Sequence, residues 1–136
     1  MTVFVLDSSA VLRYLDHEAG AERVVEIFRA CASESAAMCI SALQWGEIAG
    51  VLRKRFGARE QASILLRLMR MNPCIVSADA EHAVRAASLR VDRKIAYADA
   101  FALDLAMESI DHVLVTADYD FKAVNDLARI EFLSVK

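Results

Sequence analysis

A chain of 136 residues with a formal net charge of −3 can bury roughly two thirds of its unfolded surface, enough for a core without staples. The acidic balance, with a sequence pI near 5.6, argues against a protein that holds nucleic acid by global charge alone. The hydrophobic fraction of 57% points to a permanent partner or a homodimer, while no apolar run approaches the ~18 residues of a membrane span.

The N-terminus enters a strand at once, with no basic region before an apolar stretch, so no signal peptide is expected. Cys31, Cys39 and Cys74 are odd in number and lack metal-ligand spacing. They read as reduced core thiols, consistent with a cytoplasmic protein.

In chain order, residues 2–6 form a continuous apolar run, the pattern of a strand buried on both faces. Residues 8–16 predict a short helix and residues 20–32 a second, with Val24, Val25, Ile27 and Phe28 on its inner side. A short strand over 37–40 follows. Ser41 with Gln44 resembles a capping box and opens a helix to about Phe56, which Gly57 ends. Residues 59–71 form the next helix, 73–77 a third strand, and Asp79 caps a helix to about Val91. A helix over 97–109, a strand over 112–116, a short helix over 121–127 and a last strand over 130–133 complete the chain. Strands alternating with helices predict an α/β fold, a parallel sheet covered on both faces. No linker or internal repeat divides it, so residues 1–136 are expected to form one domain.

Four carboxylates stand out from this frame. Asp7 ends the first strand, and Asp118 closely follows the fourth. A carboxylate at the C-terminal end of such a strand points into the crevice where open α/β sheets hold ligands. Asp7 could instead cap the first helix, unless Ser8 or Ser9 does so. Asp118 could cap the next turn, with Asp120 competing. Glu47 has Leu43, Gly50 and Val51 as helical neighbours, so it is either paired to an arginine or part of a site. Asp99 lies among Ile95, Ala102, Leu103 and Ala106, while Asp104 and Glu108 take the opposite, wet face. Packing explains Asp99 poorly. Carboxylates converging on one crevice repel one another unless a hard cation or shared protons neutralise them, which points to Mg²⁺ or Mn²⁺ and phosphate chemistry.

Basic residues cluster at Arg53-Lys54-Arg55 with Arg59, and at Arg90, Arg93 and Lys94 ahead of Asp99. They are either solvated faces or a basic rim for a polyanion, with Arg53, Lys54, Arg93 and Lys94 as the candidate phosphate contacts. His17, His82 and His112 have no spacing that recommends a general base and are expected at the surface or in turns.

Val5-Leu6-Asp7-Ser8-Ser9-Ala10, Ile40-Ser41-Ala42-Leu43 with Glu47, Ala98-Asp99-Ala100, and Leu114-Val115-Thr116-Ala117-Asp118 with Phe121 resemble the PIN-domain family. More narrowly, they resemble its VapC-type toxins of toxin–antitoxin pairs. The resemblance spans essentially the whole chain. It implies a Rossmann-like PIN fold, Mg²⁺- or Mn²⁺-dependent endoribonuclease activity, most simply on tRNA, and inhibition by a cognate VapB-like antitoxin. Carried over residue by residue, the family's acidic quartet falls on Asp7, Glu47, Asp99 and Asp118, and its supporting hydroxyl on Thr116, with Ser8 a further candidate. Asp7, Asp99 and Asp118 would hold one or two divalent ions, and Glu47 would ligate or position the second. Tyr119 departs from the family's usual basic or small polar residue, which bears on the substrate contacts beside Asp118. Two other readings share parts of the pattern. A phosphoacceptor receiver domain has a similar size and acidic pocket, but would place two adjacent acids where Asp7 is followed by Ser8-Ser9. A catalytically inactive PIN-like binding module would be expected to lack one of the carboxylates.

Overall fold

A computed structural model describes all residues, 1–136. Five parallel strands form one sheet in the order β3-β2-β1-β4-β5, comprising β1 (Thr2–Leu6), β2 (Ala36–Ser41), β3 (Cys74–Val76), β4 (His112–Thr116) and β5 (Ile130–Phe132). This is an α/β architecture with helices on both faces of the sheet. The 3-2-1-4-5 order is that of doubly wound Rossmann sheets, and it differs from the 2-1-3-4-5 order of receiver domains. The receiver reading is thereby set aside.

The apolar run of β1 serves two layers because its side chains alternate across the sheet. Phe4 and Leu6 join Met38, Ile40, Val113 and Val115 in a core under α1 (Ser8–Leu15), α2 (Ala21–Ala32) and α3 (Ala42–Met69). Val5, Cys39 and Leu114 face the other way, against α5 (Tyr97–Met107), Phe121 and Val124. Beyond α5 lies α4 (Ala80–Arg93), and the two share a third cluster of Ala86, Ala100 and Phe101.

The helical path of α3 breaks at Gly57, where φ is 81° and ψ −178°. That conformation is open almost only to glycine, which is why the predicted helix ends there and a second arm resumes. An added Cβ would meet nothing within 4 Å, so Gly57→Ala isolates the backbone term. It is expected to destabilise the protein by about 1–3 kcal/mol, measured by denaturant unfolding with an unchanged m-value. The second arm leaves Leu66 and Met69 exposed, with Phe56 beside the break.

Several sequence expectations change here. Helix α5 is buried on every side from Ala100 to Ala106, because α4 covers the face that the helical period assigns to water. Asp104 is therefore buried, paired with Arg85 at 3.0 Å and with His82 Nε2 at 3.2 Å. His82 is likewise a core residue, its ring 4.6 Å from that of Phe101. The predicted short helix is a 3₁₀ turn over Tyr119–Val124. Of the cysteines, Cys39 is buried but Cys74 is exposed. No helix is long and apolar enough to cross a membrane.

A candidate active site at the C-terminal edge of the sheet

The strand order reverses direction between β1 and β4, and ligands in open α/β sheets bind outside the strand ends at such a switch point. Asp7 and Thr116 meet there. Asp7 is 2% exposed, and both of its oxygens are held. Oδ1 caps α1 by accepting from the Ala10 amide at 2.9 Å, and also accepts from the Ser9 hydroxyl at 2.7 Å. Oδ2 accepts from the Thr116 hydroxyl at 2.5 Å. Asp7 is thus the helix cap itself, a role that neither Ser8 nor Ser9 takes over. Ser9 accepts from the Ala117 amide at 2.9 Å and so ties the two strand ends together.

Asp118 follows β4 and caps the 3₁₀ turn by accepting from the Asp120 amide at 2.9 Å. Its own amide donates to Thr116 Oγ1, also at 2.9 Å. The Thr116 hydroxyl therefore bonds both the Asp7 carboxylate and the Asp118 backbone. Both strand-end carboxylates are thus helix or turn caps, at the rim of the crevice.

Glu47 sits on the first arm of α3 and is exposed, without a salt bridge, within 3.3 Å of the Ser8 hydroxyl. Asp99 projects from the first turn of α5. One residue that the sequence reading assigned elsewhere joins them. Gln44 is fully buried, and its carbonyl accepts from the Ser8 amide at 2.7 Å. Its amide donates to Ala98 O at 2.9 Å and reaches Asp99 Oδ1 at 3.4 Å. The capping box does not form. Ser41 caps α3 alone, accepting from the Leu43 amide.

The electrostatics record the convergence. Burial pushes Asp7 up to about 6, against the hydrogen bonds from Thr116, Ala10 and Ser9, with the Asp118 charge adding to the rise. Asp99 is also raised to about 6, by burial first and then by the charges of Asp118 and Asp7, with Glu47 contributing. No cationic side chain pairs with any of the four. No three acidic, histidine or cysteine side chains are drawn close enough to hold an ion by themselves. The donors nonetheless suit a hard divalent cation, which takes oxygen ligands and keeps several waters between itself and a protein site.

Beside Asp99 opens a cleft of about 300 Å³ lined by Lys94, Ile95, Ala96, Asp99, Asp120, Phe121 and Ala123. Lys94, at the C-terminus of α4, is brought to the site. Arg93 is not free to join it, since its guanidinium is held by Asp126 at 2.7 Å and Ala123 O at 3.0 Å. Arg53 and Lys54 are exposed on α3 and make no ion pair, whereas Arg55 binds Asp16 at 2.9 Å.

The sequence matches the PIN domain family over residues 4–127. No curated protein matches it. Among solved structures it is similar to VapBC2 from Rickettsia felis bound to a DNA fragment from its promoter. That likeness has a TM-score of 0.74 and 17% identity, covering 98% of this chain and 100% of that one. It is also similar to DNA-bound VapBC from Salmonella typhimurium, with a TM-score of 0.69 and 17% identity, over 97% of this chain and 98% of that chain. FitAcB from Neisseria gonorrhoeae aligns over 94% of this chain and 96% of its own, with a TM-score of 0.69 and 20% identity. At such identities the likeness is one of fold.

Proposed function

The chain belongs to the PIN-domain family, and from that membership we propose that it is a divalent-metal-dependent endoribonuclease, the VapC-type toxin of a toxin–antitoxin pair. The observation that carries this reading is the quartet Asp7, Glu47, Asp99 and Asp118, electrostatically coupled around the switch point without a protein cation to balance it. An inactive binding module would have no reason to keep four mutually repelling carboxylates.

In this reading Asp7, Asp99 and Asp118 would hold Mg²⁺ or Mn²⁺, and Glu47 would position a second ion or its water. Held there, the cation would supply Lewis-acid activation of a water and charge stabilisation at the leaving oxygen. The chain's own residues set the geometry. Thr116, Ser9 and the Ala10 amide donate to Asp7 and fix its carboxylate, and Oδ2, which takes a single donor, keeps a lone pair for the site. Ser8 steadies Glu47 and Gln44 holds Asp99. Lys94 at the cleft, with Arg53 and Lys54 further along α3, meets the phosphates of the RNA.

The kinship with VapBC complexes supports a VapB-like antitoxin as partner, and the exposed Phe56, Leu66 and Met69 support a homodimer or complex that covers them. A cytoplasmic site of action follows from a substrate such as tRNA. Purified chain, freed of any co-expressed partner, is expected to cut tRNA or total RNA with Mg²⁺ or Mn²⁺ and to stop on chelation. Cleavage unaffected by chelation, or none with either ion, would overturn the assignment.

A further inference from the structure

We propose that Tyr119 and Lys122 form a subsite for one unpaired nucleotide of the RNA, with the Tyr119 ring stacking on the base and Lys122 meeting its phosphate. The inference rests on the ribonuclease reading and names a substrate contact at that same site.

Tyr119 directly follows Asp118 and is 41% exposed, whereas Phe101 and Phe121 are sealed in the core. It is nonetheless rigidly placed. Its hydroxyl donates to Leu133 O at 2.9 Å, and its ring meets that of Phe132 edge-on, with centroids 5.3 Å apart. Leu133 is itself bonded to the site, since its amide donates to Thr116 O at 2.8 Å and Thr116 donates to Asp7. Two short links therefore fix an exposed aromatic plate to the residue that orients the buried carboxylate. Lys122 lies over this plate, its Nζ 5.0 Å from the Tyr119 ring centre and 5.7 Å from that of Phe132. The ammonium makes no salt bridge despite Asp118 and Asp120 nearby in the chain.

An acidic protein needs a way to hold RNA that does not depend on net charge. Stacking on an aromatic ring supplies one, because every base has a π-face and the gain survives in an acidic field. The base must be unpaired to reach the ring, so the substrate here is a loop or single strand. When a base takes the ring, the Lys122 ammonium is free to turn to the adjoining phosphate.

The test measures binding separately from cleavage. Fluorescence anisotropy in EDTA compares a labelled oligouridylate with a strand of equal length bearing abasic sugars in place of the bases. The wild type is expected to prefer the base-bearing strand by about 5–100-fold, the usual range for one stacked base. Tyr119→Ala should erase that preference, and Tyr119→Phe should keep most of it. Lys122→Ala should weaken both strands alike and lower the log–log salt slope by ~0.7. A wild type without the preference, or a Tyr119→Ala variant that retains it, overturns the subsite. If the wild type then still shows metal-dependent cleavage, the subsite alone has failed. Loss of both the preference and the cleavage removes the ribonuclease reading, and the subsite with it.

Discussion

Asp99→Asn is expected to abolish metal-dependent RNA cleavage while leaving the metal-free fold intact or slightly more stable. A lost carboxylate at a cation site removes several kcal/mol of charge stabilisation in the transition state, and each ~1.4 kcal/mol is tenfold in rate. The expected loss is therefore on the order of a thousandfold. Asp99 is a cleaner choice than Asp7. Asp7 accepts from Ala10, Ser9 and Thr116, so an amide there would set a donor against other donors and disturb the cap of α1. Asp99 accepts only the 3.4 Å approach of Gln44, which an asparagine carbonyl can still satisfy. A variant that cuts within tenfold of the wild type would remove Asp99 from the site.

The same substitution has a pH signature. Folded Asp7 and Asp99 keep their protons up to about pH 6, against 3.8 for an ordinary aspartate. Between those values the folded state binds more protons than the unfolded one, so stability falls as pH rises. The penalty is absent below about pH 4 and fully in force above about pH 6. With Asp99 neutral only the Asp7 part remains, so the decline in melting temperature across this window should be visibly shallower. Added Mg²⁺ or Mn²⁺ should raise the melting temperature of the wild type at pH 7 by mass action, and that of the variant much less.

Strands β1 and β4 were legible to the residue, at Thr2–Leu6 and His112–Thr116, because a run of β-branched residues buried on both faces has few other uses. The α/β class and the PIN family were legible as well. The positions of Asp7, Glu47, Asp99 and Asp118 stood out because an acid on an apolar pattern demands a reason. Asp7 is buried and Asp99 and Asp118 are half-buried, whereas Glu47 is exposed, and the ligand roles of the four are the proposal made above. What failed did so for want of tertiary information. A helical period assumes one covered face, whereas α5 lies between the sheet and α4, so Asp104 and its partner His82 were put in water. The run Ala98, Ala100, Phe101, Ala102, Leu103, Leu105, Ala106 was the available signal, since a helix apolar on nearly every side is a buried one. Gln44 was hidden by a local rule, because a glutamine three residues after Ser41 fits a capping box whatever it actually bonds.

Gln44→Leu is expected to cost about 1–3 kcal/mol of stability and to slow cleavage by about 10–100-fold. The stability term comes from the Ser8 amide at the first turn of α1, which has no partner within its own helix once the Gln44 carbonyl is gone. The kinetic term comes from α5. Gln44 is the side chain that ties its first turn, through Ala98 O and Asp99, to α3 and to the turn after Asp7. Partners that orient ligand carboxylates typically carry effects of this size. A purely structural role would predict the stability loss without the kinetic one, so Gln44→Glu separates the two. Its carboxylate can still accept from Ser8, but cannot donate to Ala98 O, and it places a further negative charge against Asp99. Cleavage by Gln44→Glu should therefore fall at least as far as in Gln44→Leu at neutral pH. It should recover in part at lower pH, where the new glutamate is protonated and can donate again. Full activity in a folded Gln44→Glu protein at pH 7 would show that Gln44 only fills the core.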